Sequence, residues 1–353
     1  MSGSWLRSGA FAVAIAAGVA GWTAVPQTQT TPAAKNAGPR TPDGHPDFQG
    51  NYNIATLTPI ERPDGVPLII SEADARRLER GEALRVQRGA EPSDANRAAP
   101  VAGGSVGGYN NFWIDRGDTV VTINGQRRSS LIVDPPDGKV PPLTAAARTR
   151  NATRPGQVAL PTADAPESAG NSGAGAYDDP ETRPLGERCL LGFGSTSGPP
   201  TMPNYFYNNL KQIVQTKDQI MILVEMVHDA RIIRMNQPHL PPTIRKWMGD
   251  SVGHWEGDTL VVDTTNFSDK TRYRGSSTNL HVIERFSRLD DQNLLYRFTI
   301  EDPDTWTRPW TGEFPWVATD DAIYEYACHE GNHALEHILS GARYQETHPE
   351  KKP

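Results

Sequence analysis

The sequence predicts a mainly β protein whose C-terminal half closes into an antiparallel barrel of about 8–10 strands, with long loops and a few short helices. Two observations carry that expectation. Beyond residue 210 the chain runs as successive short apolar stretches rich in Val, Ile, Leu, Tyr and Phe, separated by compact polar turn clusters. Glycine and proline number 32 and 30 of 353 residues while hydrophobic residues make up only 37%, which is the composition of a loop-rich chain around a moderate core. So many strands in one open sheet would leave long unpaired edges, and closure removes them.

Residues 1–34 read as an export signal and a flexible tether. Arg7 supplies the positive start, Phe11 to Ala20 a short apolar run, and small residues with Pro26 follow. The run is short for a membrane span, so a cleaved signal is expected, with an uncleaved anchor as the alternative. The expected location is periplasmic or secreted, with no stable membrane span after processing. A net charge of −7 argues against a nucleic-acid partner, which needs a clustered basic surface.

Residues 35–150 are expected to pack on the barrel or extend it. "SEADARRLER" predicts a helix capped by Ser71 and stopped by Gly81. "RRSSLIVDPPDG", 127–138, predicts a strand, and Thr144 opens a short helix. Residues 89–108 and 151–180 lack any period and read as loops. Residues 181–353 are the expected barrel core, with strands at "QIVQT", "QIMILVEMVH", "TLVVDTTNF", "HVIERFSRL", "NLLYRFTIE" and "AIYEYACHE". Turns fall at 256–258, 290–293 and 319–321. "DTWTRPWTGEFPW" reads as irregular or an edge strand because of its prolines. A last helix is expected from Asn332 to Gly341, its Leu335, Ile338 and Leu339 packing on the body.

In an oxidising compartment the chain's two cysteines, Cys189 and Cys328, are expected to bond to each other. Period-2 alternation places His228 on one strand face with Ile220, Ile222, Val224 and Met226, His281 with Ile283 and Arg285, and His329 with Ile323, Glu325 and Ala327. For each, a satisfied core or solvent-facing histidine is the plain alternative. Histidines from separate strands converging in a barrel would make a transition-metal site, most naturally for iron, with Glu225, Asp229 or Glu330 as carboxylate partner. Trp310, Phe314 and Trp316 share one extended face, either a plug of the barrel end or a wall for an apolar ligand. Tyr205, with Asn208 and Asn209 as polar anchors, forms a second candidate wall. "HALEH", 333–337, matches a zinc-protease pattern but lacks a downstream third ligand, and "GDS", 249–251, lacks the α/β context of an esterase serine.

"LGERCLLGF", "NNLKQIVQT", "EMVHDARII", "HLPPTIRKWMGDSVGHWEGDTLVVDTTNF", "DPDTWTRPWTGEFPW" and "YEYACHEGN" together resemble a large family of exported bacterial proteins. Nearly the whole mature chain shares the likeness, which is similar to that of the trans-anethole or trans-anol oxygenases, enzymes that cleave the propenyl double bond of phenylpropanoids. The resemblance implies that His228, Asp229, Arg231, His239, His329 and Glu330 carry the chemistry. Three functions therefore stay open: a metal-dependent oxygenase with His228, His281, His329, His239 and Glu330 as ligands; a lipocalin- or calycin-like carrier of a small hydrophobic or aromatic molecule, or of haem; and a cofactor-free lyase, isomerase or hydrolase using His228 with Asp229 or Glu225.

Overall fold

A computed structural model of the chain describes residues 38–92, 96, 98, 114–152, 175, 177–192, 197–204, 207–271 and 273–348. The expected export signal and tether, Tyr205, and most of the two expected long loops lie outside these residues. The elements in order are β1 (Gly50–Asn53), β2 (Ile69–Ile70), α1 (Glu72–Gly89), β3 (Thr122–Ile123), β4 (Gln126–Arg128), β5 (Ile132–Asp134), α2 (Ala145–Ala152), β6 (Leu210–Gln215), β7 (Gln219–Val224), β8 (Ala230–Met235), β9 (Asp250–Glu256), β10 (Thr259–Thr265), β11 (His281–Arg288), β12 (Leu294–Glu301), β13 (Trp310–Thr319) and α3 (Ala334–Thr347).

Strands β6 to β13 follow one another around a sheet that β1 closes by pairing with both β6 and β13, giving a nine-stranded barrel. Alternation drives it. Ile213, Ile220, Ile222, Ile233, Val282, Phe286, Tyr296, Phe298 and Phe314 are buried while their chain neighbours face outward or are only partly covered; in β10 Leu260, Val261 and Val262 are all buried. Tight turns set the register. Glu256 pairs with Thr259, leaving the two-residue loop Gly257–Asp258, and Gly257 supplies the positive φ of 58° that such a loop requires. Inside the lumen Gly312 pairs with Phe298, and a Cβ there would collide with the Phe298 ring.

The expected all-antiparallel order needs correcting at one place. β8 and β9 are parallel, with Ile233 opposite Ser251 and Met235 opposite Gly253. A parallel pair needs a long crossover, and residues 236–249 supply it with their prolines and Gly249. The segment around Trp310 also differs from expectation: β13 is a ten-residue central strand, not an edge. Its proline is tolerated for a specific reason. The N–H of Glu313 bonds the Leu131 carbonyl, so two residues on the nitrogen of Pro315 points the same way, into the gap between β5, which pairs with Thr311 and Gly312, and β1, which pairs with residues 317–319.

"AIYEYACHE" is no strand. β1 takes the free side of β13 at residues 317–319, and residues 320–327 carry no regular structure and are mostly exposed. The helices begin as expected but overrun their predicted glycine stops. α1 starts at the Ser71 cap, which accepts from the Asp74 N–H, then passes Gly81 to reach Gly89. Ion pairs on both sides of Gly81 (Arg76 with Glu72, Arg85 with Glu82) and the reach of Arg127 to Glu72 and Glu79 stabilise it against the cost of about 1 kcal/mol for a helical glycine. α3 passes Gly341 to Thr347, and Leu335, Ile338 and Leu339 are half-buried, with no residue of that helix fully covered. Among the described residues, no helix is long and apolar enough to cross a membrane.

Candidate active site

Tyr52 of β1 stands opposite Lys211 of β6, Lys211 opposite Val224 of β7, and the Val224 N–H bonds the Asp229 carbonyl at 2.9 Å. Four neighbouring strands thus bring Tyr52, Lys211, Val224 and Asp229 into one row. Lys211 lies two residues before Ile213, Val224 two after Ile222, and Asp229 two before Arg231, so alternation turns the row toward the lumen at one barrel mouth. With strands spaced about 4.8 Å apart, the backbones of Lys211 and Asp229 are roughly 10 Å from each other.

The β7–β8 turn at this mouth is strained. Val227 has φ 68° and His228 φ 52°, two successive non-glycine residues in the left-handed region. For a β-branched residue such a backbone costs of the order of 1–3 kcal/mol and persists only where its surroundings hold it. The restraint comes from Glu225. Its carboxylate accepts from the Leu210 N–H at 3.2 Å and the Tyr324 N–H at 3.4 Å, and its backbone N–H bonds the Leu210 carbonyl at 3.1 Å. Val227 and Met226 are buried against Val224, Tyr207 and Tyr326. Glu225, expected as a general base, is therefore a clamp. His228, expected on the β7 face, sits beyond the strand end on the turn and is exposed.

Lys211 is the group that sequence reasoning missed. It is 0% exposed, and among the described residues its ammonium position has one hydrogen-bond acceptor, the Leu210 carbonyl at 3.3 Å. Burial pushes its pKa down to about 7, against the opposing charge of Glu225. Asp229 moves the other way. Burial raises its carboxyl above the usual range, opposed by His228, and its Oδ2 is buried without a partner among the described residues. An amine that sheds its proton near neutrality and a carboxyl that retains one longer are the two halves of an acid–base pair.

A cap covers the mouth. Cys189 and Cys328 form a disulfide with Cα atoms 5.8 Å apart. Tyr326 stacks on Tyr207 with ring centres 6.3 Å apart, and the Asn332 amide meets Cys189 Sγ at 3.6 Å. His329 and Glu330 follow Cys328 in an exposed turn. Asn209 is buried and structural: its Oδ1 accepts from the Asn204 N–H and its amide donates to the Asp115 carbonyl. Asn208 holds φ 58°, and its carbonyl accepts from the Asn204 side chain at 2.9 Å.

The expected aromatic wall is core. Trp310, Phe314 and Trp316 point into the lumen on one face, as their spacing implied, but each is fully buried in a continuous aromatic stack with Tyr52, Phe286, Tyr296 and Phe298. Residues 197–204 fill the remaining interior: Met202 joins the core and the Thr201 N–H donates to Tyr296 Oη at 3.0 Å. Arg231, which the resemblance implied carries chemistry, is already occupied by a bidentate pair with Glu284 at 2.7 and 3.1 Å, and Tyr296 Oη donates to the same carboxylate at 2.8 Å.

Of the expected metal ligands the structure brings together only His239 and His281, on the outer wall. A chain of side chains runs Asp250–His239–Asp263–His281–Glu301, with successive contacts of 3.2, 2.9, 2.9 and 3.0 Å. Both ring nitrogens of each histidine face carboxylate oxygens. Asp250 also accepts from Arg234, Lys246 and the Leu240 N–H, which pins the 236–249 crossover to β9. His228, His329 and Glu330 are exposed elsewhere. Among the described residues no group of three or more His, Cys, Asp or Glu side chains is placed to hold a metal ion. The five expected ligands do not form a donor set. A groove of about 470 Å³, bounded by Thr56, Val120, Arg127, Asp290 and Val317, contains none of the candidate residues.

The outer chain makes stability depend on pH. The hydrogen bond from His281 to Asp263 raises the His281 pKa, outweighing its partial burial, with Glu301 adding to it. A raised folded pKa stabilises fully below the unfolded value of about 6.5, and the gain is lost as pH rises through the folded value. For Asp263 burial pushes upward, but the bonds from His281 and His239 prevail and hold it low, so its share is lost only as acid reaches the folded pKa. Urea unfolding of the native chain should therefore show stability falling as pH rises above about 6.5 toward the raised His281 pKa, and His281→Gln should flatten that limb. An unchanged limb in the variant would remove the assignment.

The fold and site together define a class: a closed, mixed nine-stranded barrel with a strained polar mouth strapped by a disulfide. No family model, no curated protein and no solved structure matches the chain.

Proposed function

We propose that the protein is an acid–base enzyme, of the lyase, isomerase or hydrolase type, acting on a small aromatic molecule at the capped mouth of the barrel. Lys211 is the base and Asp229 the acid. The observation that carries this is the Lys211 amine, wholly buried on the lumen face with a backbone carbonyl as its hydrogen-bond partner. A structural lysine at such a place would cost stability without return, since an apolar residue of similar length would fill the space at no desolvation cost. The orphan oxygen of Asp229 and the strained turn beside it support the same place. The resemblance to propenyl-cleaving enzymes supports an aromatic substrate. The tightly packed lumen gives a carrier reading less support, and the oxygenase reading finds no converging donor set among the described residues.

The purified mature protein would be assayed against propenylbenzenes, aryl ketones and aryl esters, with Lys211→Met and Asp229→Asn beside it. Each substitution should reduce turnover by about 10²–10⁴-fold. Lys211→Met should also raise the melting temperature, because the desolvated amine is gone. Full turnover in Lys211→Met would refute the assignment.

A further inference from the structure

We infer that Lys211 is also a nucleophile, forming an imine with the carbonyl carbon of an aromatic aldehyde or ketone held at the barrel mouth. This rests on the acid–base site proposed above and names its substrate class. Imine formation needs a neutral amine that is shielded from water, not locked into a salt bridge, and facing a proton donor. Among the described residues Lys211 is shielded and outside any ion pair: it is buried, and its one hydrogen bond runs to a backbone carbonyl. Glu225, the carboxylate nearest in charge, spends its oxygens on the Leu210 and Tyr324 N–H groups. Asp229 shares the row across a single intervening strand. The other described lysines that bond to side chains contrast with it: Lys139, Lys246 and Lys270 are partly exposed and each pairs with a carboxylate.

The chemistry balances without a redox partner. The amine lone pair adds to the carbonyl carbon, and one proton of the resulting ammonium passes to the carbonyl oxygen, giving a neutral carbinolamine. The protonated Asp229 carboxyl donates to the departing hydroxyl, water leaves, and the C–N bond becomes a double bond. The nitrogen's proton returns to the Asp229 carboxylate. One carbonyl and one amine yield one imine and one water. The aromatic ring of such a compound would lie against the apolar and aromatic side chains beside the row: Tyr52, Val224, and the Tyr207–Tyr326 pair.

The test is reductive trapping. The mature protein is incubated with 4-hydroxybenzaldehyde and sodium cyanoborohydride at neutral pH, digested, and mapped by mass spectrometry. The expected result is an arylmethyl adduct on Lys211 at least tenfold above that on Lys139, Lys217, Lys246 or Lys270, absent from Lys211→Met and slowed in Asp229→Asn. Labelling confined to the exposed lysines would overturn the inference. If that occurs while Lys211→Met still abolishes turnover, the imine falls and the proton-transfer role stands. If Lys211 is trapped while Lys211→Met turns over normally, it is the proton-transfer role that falls. Circular dichroism of each variant, with Lys211→Gln as a second substitution, separates these outcomes from misfolding.

Discussion

Glu284→Ala is expected to destabilise the barrel by about 3–5 kcal/mol, because it leaves the Arg231 guanidinium buried without its counter-charge. The pair is deeply placed: the side chain of Arg231 is 4% exposed and that of Glu284 0%. Two strands, β9 and β10, separate β8 from β11 around the sheet, so the contact spans the interior. Its oxygens serve three donors, two from Arg231 and one from Tyr296, and Tyr296 in turn receives the Thr201 N–H of the inserted segment. Removing the carboxylate therefore unsettles a strand, an aromatic and the interior segment together. Removing both charges is different. Replacing a buried pair with apolar groups of similar volume is often neutral or stabilising, since both desolvation costs disappear. Arg231→Met with Glu284→Leu should recover most of the loss, leaving Tyr296 Oη with the Thr201 bond. Urea unfolding of the three proteins decides it. A single variant within about 1 kcal/mol of native, the level of a surface pair, would show that the charges are solvated.

That pair also shows which parts of the molecule were legible in the sequence. β6, β7, β10, β11 and β12 announce themselves because runs of apolar, β-branched and aromatic residues stand between compact polar turns. β8 and β9 do not, since "ARIIRM" carries a charge at a buried position and "DSVGHWE" is mostly polar or glycine. The parallel pairing of those two strands has no local signal at all; it is decided by how residues 236–249 cross over and by Asp250 holding them down. "AIYEYACHE" has a strand's composition, but β1 occupies the edge it would need. The Cys189–Cys328 bond was readable from cysteine number and the expected compartment, and Glu225 and Asp229 were readable as neighbours of interest.

The chemistry was harder to place because histidine draws attention wherever it stands. His281 alternates with Ile283 and Arg285 and so belongs to the outer wall, where carboxylates hold it. Lys211 and Glu284 carried the better signal: each is a charge at an inward position of its strand, two residues before Ile213 in one case and between Val282 and Phe286 in the other. A buried charge costs so much that it persists only with a structural partner or a task. Glu284 has the partner. Among the described residues Lys211 has the Leu210 carbonyl and no counter-charge bonded to it, which is why the site is placed there.

Replacing Cys189 and Cys328 together with serine should cost about 2–5 kcal/mol, and the loss should be concentrated in the cap. The bond spans 139 residues, and in the chain-entropy account a loop of that length restrains the unfolded chain by about 5 kcal/mol. The native contacts of the cap are few without it. Residues 320–327 form no ladder, α3 buries no residue completely, and Tyr324 meets Glu225 through a 3.4 Å bond. The cap of the double variant should therefore open below the global transition, and limited proteolysis should cut within 320–348 while the barrel survives. Because Glu225 would lose the Tyr324 N–H, the strained Val227–His228 turn should relax with it, and solvent should reach Lys211. The amine would then recover a higher pKa, and trapping of Lys211 by an aldehyde at neutral pH should decline although access to it has improved. Faster trapping in the open variant would mean that access, not desolvation, governs the amine.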